Sequence, residues 1–225
     1  MSIHSNDIRT YGYVLRRTNY GEADRILNII TPKGKISAIA KGVRKEKSKL
    51  AGGIEMFTLT DYNVHTNKNG LGVITSAKML RHYGEIIKDL DKVELAAMIL
   101  KKTSRVAQNL DNPECYNIVD QGLKALNDGK NLNIVEAWCL LNLKKAAGEE
   151  INLYRNINGE KLTPEKQYEW DATEMSFFEN EQGRFGADEI KVLRLILNNN
   201  LDLIWKIKLN VTKIDLVLWL ARMVV

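Results

Sequence analysis

The residues between Lys41 and Lys49 are the strongest chemical signal in the sequence. This stretch holds five basic side chains and one acid, and no large apolar residue follows Val43. A strand or helix could not bury such a segment, so we expect an exposed loop. Clustered Lys and Arg bind phosphates by charge and counterion release, with little discrimination between bases. Arg44 can also bind one phosphate through two hydrogen bonds, which a lysine cannot do.

Further basic residues on the preceding strands extend this candidate surface. The candidate nucleic-acid-binding residues are Lys41, Arg44, Lys45, Lys47 and Lys49 in the loop, with Arg16, Arg17, Arg25, Lys33 and Lys35 before it. Because side chains alternate along a strand, Arg16 and Arg17 are expected on opposite faces. Aromatic rings on the same surface could stack on bases, although such rings are more commonly packed in the core. The rings available are Tyr13, Tyr20, Phe57 and Tyr62.

The net charge of +5 is unevenly distributed along the chain. Up to Gly84 there are fourteen Lys and Arg against six Asp and Glu, whereas the remainder holds nineteen against twenty-two. A basic nucleic-acid-binding domain attached to a neutral or acidic domain produces this asymmetry. A chance bias of the surface, with a loop that only keeps the protein in solution, is the alternative interpretation.

Groups for catalysis or metal binding show no recognisable pattern. The chain has no Gly-rich phosphate-binding loop, and His4, His65 and His82 lack the spacing of metal ligands or of a catalytic triad. We therefore expect no enzymatic activity and no cofactor. Cys115 and Cys139 show no paired spacing, which favours a reducing compartment and predicts a cytoplasmic protein. No apolar run approaches the roughly 18 residues that span a bilayer, so no membrane association is expected.

Five short strands are predicted in the first eighty residues. They cover residues 8–17, 24–31, 35–40, 55–64 and 70–79. Turn-forming sequences such as Asn19–Glu22 and Pro32–Gly34 separate neighbouring strands. Five short strands with Gly-rich connections are typical of a small closed barrel such as the OB-fold. We therefore predict an OB-fold domain over residues 1–80, with the basic loop between two of its strands.

Helical periodicity replaces strand alternation beyond Arg81. The predicted helices cover residues 92–110, 113–127, 131 or 133 to 143, 187–198, and a last segment capped by Thr212. The stretch from about 152 to 186 is polar and rich in turn residues, so we expect an irregular insertion there. The predicted fold class is α+β: a five-stranded OB-fold β-barrel followed by an all-helical domain over residues 81–225.

The sequence resembles the RecO family of bacterial recombination mediators. The resemblance lies in residues 12–17, 20–24, 31–35, 40–50 and 57–59. These motifs cover most of the first eighty residues in the order and spacing of the family, whereas the helical remainder matches mainly by length and pattern.

Membership of this family would imply an N-terminal OB-fold and a C-terminal helical domain. It implies binding of single- and double-stranded DNA, annealing of complementary strands, and help in loading RecA onto strands coated by single-strand-binding protein. The implied partners are RecR and the acidic C-terminal tail of single-strand-binding protein, with RecA reached indirectly. The basic loop then becomes the leading DNA contact, and Lys101, Lys102 and Arg105 are a candidate for the tail from charge alone.

The chain departs from the family at one site. Many members carry a four-cysteine zinc cluster after the third long helix. The matching positions here are Arg155, Asn158, Phe178 and Glu181. These side chains cannot form a tetrahedral thiolate site, so we predict no structural zinc. Apolar contacts from Trp170, Phe177 and Phe178 are expected to connect this segment instead.

Two other functions would show the same electrostatic features. One is an RNA-binding OB-fold protein of translation or decay, which competition between matched RNA and DNA strands would distinguish. The other is a scaffold whose basic loop binds an acidic protein and never contacts nucleic acid. A pull-down of protein partners, repeated after nuclease treatment, would identify the scaffold.

Overall fold

The structure is a computed structural model that describes residues 7–66, 71–107, 113–206 and 211–225, of which 211 and 212 are described by backbone alone. The predicted Thr212 cap and His4 lie outside this description. Contacts divide the chain into a first unit, Met1–Asp128, and a second unit, Gly129–Val225. No helix within the described ranges is long and apolar enough to cross a membrane.

Five strands form the first unit's sheet. They are β1 (Asp7–Tyr20), β2 (Asp24–Thr31), β3 (Gly34–Ala40), β4 (Thr58–His65) and β5 (Gly72–His82). The strands close into a barrel with the neighbour order β1-β2-β3-β5-β4, and β4 pairs back onto β1. Only the short β3–β5 pair is parallel among these neighbours. This is the arrangement of the OB-fold, so the predicted fold class is confirmed.

Strand alternation fills the barrel with apolar side chains. The buried core includes Val14, Leu27, Ile29, Ala38, Tyr62, Val64 and Ile74. A β-bulge between Val14 and Arg16 shifts the register of β1 against β2. The hydroxyl of Tyr62 donates a hydrogen bond to the Gly53 carbonyl at 3.1 Å, so this buried polar group is satisfied.

Two helices extend the first unit beyond the barrel. They are α1 (Leu90–Val106) and α2 (Pro113–Asn127). The Asp89 carboxylate caps α1 by accepting hydrogen bonds from the backbone N–H groups of Asp91 and Lys92. The first helix contacts β1, and the second contacts β1, β2 and β3. The predicted boundary at residue 80 therefore falls close to the end of β5, but the compact unit continues to Asp128.

A buried tyrosine cluster connects the barrel to α2. The Tyr13 hydroxyl donates a hydrogen bond to the Asp120 carboxylate at 2.5 Å, and its oxygen lies 2.9 Å from that of Tyr83. The Tyr116 ring packs 5.7 Å from the Tyr13 ring. Burial, reinforced by the bond to Asp120, raises the pKa of Tyr13, and burial also raises the pKa of Tyr62. Both rings are fully buried, so these two tyrosines pack in the core, the more common of the two alternatives for such rings, and do not stack on bases.

Helices dominate the second unit. They are α3 (Leu132–Ala146), α4 (Ala187–Asn198), α5 (Leu201–Ile204) and α6 (Val211–Met223). The Asn131 side chain caps α3 by accepting a hydrogen bond from the Ile134 backbone at 3.1 Å, as the sequence suggests. The longer helices α3, α4 and α6 pack against one another.

The predicted irregular insertion contains a small sheet, so the second unit is not all-helical. Strands β6 (Tyr168–Asp171) and β7 (Ser176–Glu179) pair antiparallel. Four residues are too few for alternation to be recognised in sequence. Trp170 and Phe177 meet edge to face at 5.0 Å, and Phe177 meets Phe185 at 5.2 Å. These contacts agree with the expected apolar connection of the segment.

Hydrogen-bonded turns occupy the region where the family resemblance implies zinc. The Asn156 side-chain oxygen accepts hydrogen bonds from the backbone N–H groups of Asn158 and Glu160, both at 3.0 Å. The Asn180 side chain accepts one from Gln182 at 2.9 Å. No thiolate lies in these turns, so the donor set does not fit the cluster. The described residues hold no group of three or more His, Cys, Asp or Glu suited to a metal ion. The absence of zinc stays a prediction.

We expect the first unit to lose stability as the pH rises above about 10, the ordinary pKa of tyrosine. Unfolding releases protons from Tyr13 and Tyr62 that the folded chain retains, so stability present at neutral pH is lost in that alkaline range. Each buried phenol lowers the free energy of unfolding by about 1.4 kcal/mol per pH unit there. Thermal unfolding followed by circular dichroism measures this loss. Tyr13→Phe should flatten the decline, and an unchanged slope in that variant would contradict the assignment.

Candidate nucleic-acid interface

Apolar residues anchor the basic loop, residues 41–49, at one end of the barrel. Val43 is only 4% exposed and belongs to the barrel core. The loop leads into a 3-10 helix, Ala51–Ile54, whose Ile54 is 1% exposed and packs in the same core. Leu50 packs against that core from the connecting residue. The loop therefore closes the barrel end with its apolar side chains while its charged side chains face solvent.

Hydrogen bonds fix the start of the loop to the turn between β1 and β2. The Gly42 backbone donates to the Asp24 carboxylate at 2.7 Å, and the Arg44 backbone donates to the Ala23 carbonyl at 2.9 Å. The Arg44 guanidinium donates to the Gly21 carbonyl at 3.3 Å. Gly42 adopts a φ of 61°, a left-handed conformation that favours glycine. The loop and this turn thus form one continuous surface.

The residues after the loop are fixed to β4 and β5 rather than to the turn between β1 and β2. Gly53 lies so close to β5 that a Cβ there would come within 2.5 Å of the Ala77 Cβ. The Gly53 carbonyl also receives the Tyr62 hydrogen bond described above. Only glycine allows this approach, so the 3-10 helix is held between β4 and β5.

The five basic side chains of the loop are exposed and unpaired. Lys41, Arg44, Lys45, Lys47 and Lys49 are all exposed. Within the described ranges, no carboxylate lies at ion-pair distance from any of them. Glu46 is the only acid in the loop. The barrel end therefore presents a concentrated positive charge that is available to phosphates.

The arginines of β1 and β2 lie beside this loop on different faces. Register pairs Arg17 with the core residue Leu27, so Arg17 lies on the inner face of β1 and Arg16 on the outer face. The Arg17 guanidinium donates to the Glu55 carboxylate at 2.9 Å, which partly neutralises it. Arg25 pairs in register with Ala40, next to the loop, and donates to the Asn19 side chain at 3.1 Å.

Lys33 and Lys35 lie at the other end of the barrel. In the pairing of β2 with β3, Arg25 lies opposite Ala40 beside the loop, and Thr31 lies opposite Gly34 at the other end. Lys33 therefore lies in the turn at that far end, and Lys35 follows it. The seven residues of β3 separate the two ends by roughly 20 Å. The structure therefore places Arg25 beside the five loop residues, Arg16 further along the barrel opposite Asn28, and these two lysines at the far end.

Tyr20 is the exposed aromatic residue beside the loop. It is 56% exposed at the end of β1, next to the turn that Arg44 contacts. Phe57, another stacking candidate, is only 9% exposed and belongs to the core. Sequence reasoning missed the anchoring role of Asp24, although the motif over residues 20–24 pointed to this turn. A base can stack on Tyr20 while its phosphates contact the loop.

The histidine and cysteine side chains within the described residues form no nucleophilic or metal site. His65 contacts Asp7 at 2.7 Å on an exposed strand end, and His82 lies at the end of β5. Burial raises the pKa of Cys115 to about 11 and raises that of Cys139 as well. Both thiols are buried and free, so neither is an activated thiolate.

The fold and this surface define an OB-fold protein with an electropositive barrel end. Comparison with known proteins agrees: residues 1–83 match the family described as Recombination protein O N terminal. The chain is 33% identical to the DNA repair protein RecO of Roseiflexus sp. (strain RS-1) over 147 residues, covering 65% of this chain and 52% of that protein.

Two further relatives carry the same printed name. The DNA repair protein RecO of Rubrobacter xylanophilus is 32% identical over 142 residues, covering 62% of this chain and 57% of that protein. The one from Dehalococcoides mccartyi (strain ATCC BAA-2266 / KCTC 15142 / 195) is 25% identical over 222 residues, covering 91% and 84%. The chain thus spans just over half the length of the first two relatives. The predicted resemblance to the RecO family is confirmed, and the family match lies in residues 1–83.

We expect Asp24→Ala to release the basic loop, because the Gly42 backbone loses its carboxylate acceptor. Limited trypsin digestion followed by mass spectrometry would measure cleavage after Lys45 and Lys47. The variant should be cut several-fold faster than the unaltered chain. Asp128→Ala, at an exposed position after α2, is the control. Equal cleavage rates in all three proteins would show that the loop is not fixed by this bond.

Proposed function

We propose that the chain is a protein of recombinational DNA repair that binds single- and double-stranded DNA. In this proposal it anneals complementary strands and helps to load RecA onto strands coated by single-strand-binding protein. The observation that carries the proposal is the set of five exposed basic side chains held on the end of an OB-fold barrel, none of which forms an ion pair within the described residues. The family match over residues 1–83 and the printed names of the relatives support the repair role.

The geometry supports binding of the phosphate backbone with little sequence discrimination. Arg44 uses one guanidinium nitrogen to hold the Gly21 carbonyl, and its other donors can bind a phosphate. The lysines add charge that releases counterions from the strand. Because the loop is already anchored, binding costs little conformational entropy. Tyr20 supplies a stacking surface for a base at the same end of the barrel.

The proposed activity is mediation without chemical catalysis. Two strands repel each other through their phosphates, and a basic surface that neutralises this charge lowers the barrier to their pairing. The site contains hydrogen-bond donors and cations, which bind phosphates but transfer no groups. RecR and RecA complete the proposed pathway as protein partners.

Charge reversal in the loop tests the DNA-binding site. Arg44→Glu, Lys45→Glu and Lys47→Glu together should abolish or strongly weaken binding of a labelled single strand, measured by fluorescence anisotropy across a salt series. Five neutralised phosphates predict a slope of log affinity against log salt near −3.5, at about −0.7 per contact. Residual binding through two cations should show a slope of about −1.4.

The matched control reverses three exposed lysines of the second unit, Lys161, Lys191 and Lys206, and therefore has the same net charge. Retained binding in the control and lost binding in the loop variant locate the site. Unchanged affinity in the loop variant would refute this assignment. Preference for RNA in a competition with matched DNA would favour an RNA-binding role, and no binding to either would favour an acidic protein as the ligand.

The acidic tail of single-strand-binding protein is the proposed partner of α1. Lys101 and Arg105 are both exposed and lie four residues apart, so they share one face of the helix. Lys102 lies beside them and is half-buried. This face offers positive charge within a helix that is otherwise packed on the barrel, which suits an acidic peptide.

Reversal of both exposed charges, Lys101→Glu with Arg105→Glu, should weaken binding of an acidic tail peptide by about tenfold or more, since each rim charge contributes about 1 kcal/mol. Fluorescence anisotropy with a labelled peptide provides the measurement. Lys161→Glu with Lys191→Glu is the matched control on the second unit. If the two variants bind the peptide with equal affinity, α1 is not the binding site of the acidic tail.

A further inference from the structure

A second exposed surface lies on the outer face of β1, β4 and β5. Register places Tyr11 opposite Asp61 and Asp61 opposite Lys78, so these three side chains form one row across the strands. Arg81 lies opposite Leu59, further along the same face. We call Tyr11, Lys78 and Arg81 the β5 face. Tyr11 is 45% exposed, and Lys78 and Arg81 are also exposed.

Two cations of this face, Lys78 and Arg81, form no ion pair among the described residues. Arg9 donates to both carboxylate oxygens of Asp61, the closest contact being 2.7 Å. This hydrogen bonding lowers the pKa of Asp61, which therefore stays ionised and matched by Arg9. Among the described residues, no carboxylate lies at ion-pair distance from Lys78 or Arg81. The face therefore has a net positive charge beside an exposed aromatic ring.

Buried contacts hold the two functional groups of this face in place. The Tyr11 ring meets the Tyr116 ring edge to face at 5.8 Å, which fixes its orientation. The Arg81 guanidinium lies 6.0 Å from the centre of the Tyr83 ring, and a hydrogen bond to that tyrosine raises the pKa of Arg81. Tyr83 in turn contacts Tyr13. An oriented ring with neighbouring cations is the arrangement that binds single-stranded nucleic acid.

Tyr11 of the β5 face lies apart from the basic loop along β1, whereas Lys78 directly follows Ala77, which lies against Gly53 of the 3-10 helix. Tyr11 and Tyr20 lie nine residues apart on β1, which corresponds to roughly 30 Å of strand. Between them, Tyr13 is covered and bonded to Asp120 of α2. The two exposed tyrosines therefore lie on different sides of the point where α2 meets β1. Each has its own cations, so each can contact a different strand.

We propose that the β5 face binds the second single strand of DNA during annealing, while the basic loop binds the first. This inference rests on the proposed function, because it assigns the second of the two strands that annealing requires. Charge complementarity identifies the occupant: Lys78 and Arg81 bind phosphates, and Tyr11 stacks on a base. One chain would thus hold both complementary strands at once and raise their local concentration.

Native mass spectrometry with short oligothymidine, which cannot pair with itself, tests the stoichiometry. The unaltered chain should bind two strands per chain. Tyr11→Ala with Lys78→Ala should bind one, retained by the basic loop, and the loop variant with three reversed charges should bind at most one strand, weakly, at the β5 face. Tyr154→Ala with Lys161→Ala is a matched control, since both residues are exposed in the second unit, and should bind two.

The annealing rate of two labelled complementary strands, measured by fluorescence energy transfer, gives a second readout. Tyr11→Ala with Lys78→Ala should reduce that rate at least tenfold while its affinity for a single strand changes less than about twofold. Circular dichroism melting confirms that the variant is folded. Two bound strands and an unaltered annealing rate in this variant would overturn the inference alone. Absence of any DNA binding by the unaltered chain would overturn the proposed function as well.

Discussion

The candidate interface depends on the burial of Val43 and Ile54 in the end of the barrel. Each buried aliphatic side chain contributes roughly 1.5–3 kcal/mol, which is enough to hold a segment whose charges repel one another. The chain between these two residues carries lysines that could not be buried, so they face solvent together. Apolar anchoring and charge presentation are thus two results of one packing arrangement. Gly42 provides the left-handed backbone conformation that it requires, and Gly53 provides the close approach to β5.

The contact between Tyr13 and Asp120 has a comparable role on the side of the barrel. It places α2 against β1, so that the first unit continues beyond the OB-fold to Asp128. The same contact separates the exposed ends of β1, where Tyr11 and Tyr20 lie. A helix that stabilises the barrel therefore also divides its surface into two areas. This division is the physical basis for assigning separate strands to the basic loop and the β5 face.

The second unit shows how a segment without thiolates can form the turns near β6 and β7. Asn156 and Asn180 satisfy backbone N–H groups in those turns, and the rings of Trp170, Phe177 and Phe185 pack behind them. Amide side chains and aromatic packing both act locally, so the turns need no ligand drawn from distant parts of the chain. This arrangement agrees with the apolar connection expected from Trp170 and Phe177.

The sequence by itself determined the five barrel strands, the longer helices, the position of the basic loop and the resemblance to the RecO family. Strand alternation, helical periodicity, the helix start at Pro113 and the cap at Asn131 are local properties, and charge can be counted directly. Only the tertiary structure decided which side chains share a surface. It buried Tyr13 and Tyr62, moved Lys33 and Lys35 to the far end, and joined Tyr11 to Lys78 across β4. These outcomes depend on the pairing of strands distant in sequence, and no local pattern specifies that register.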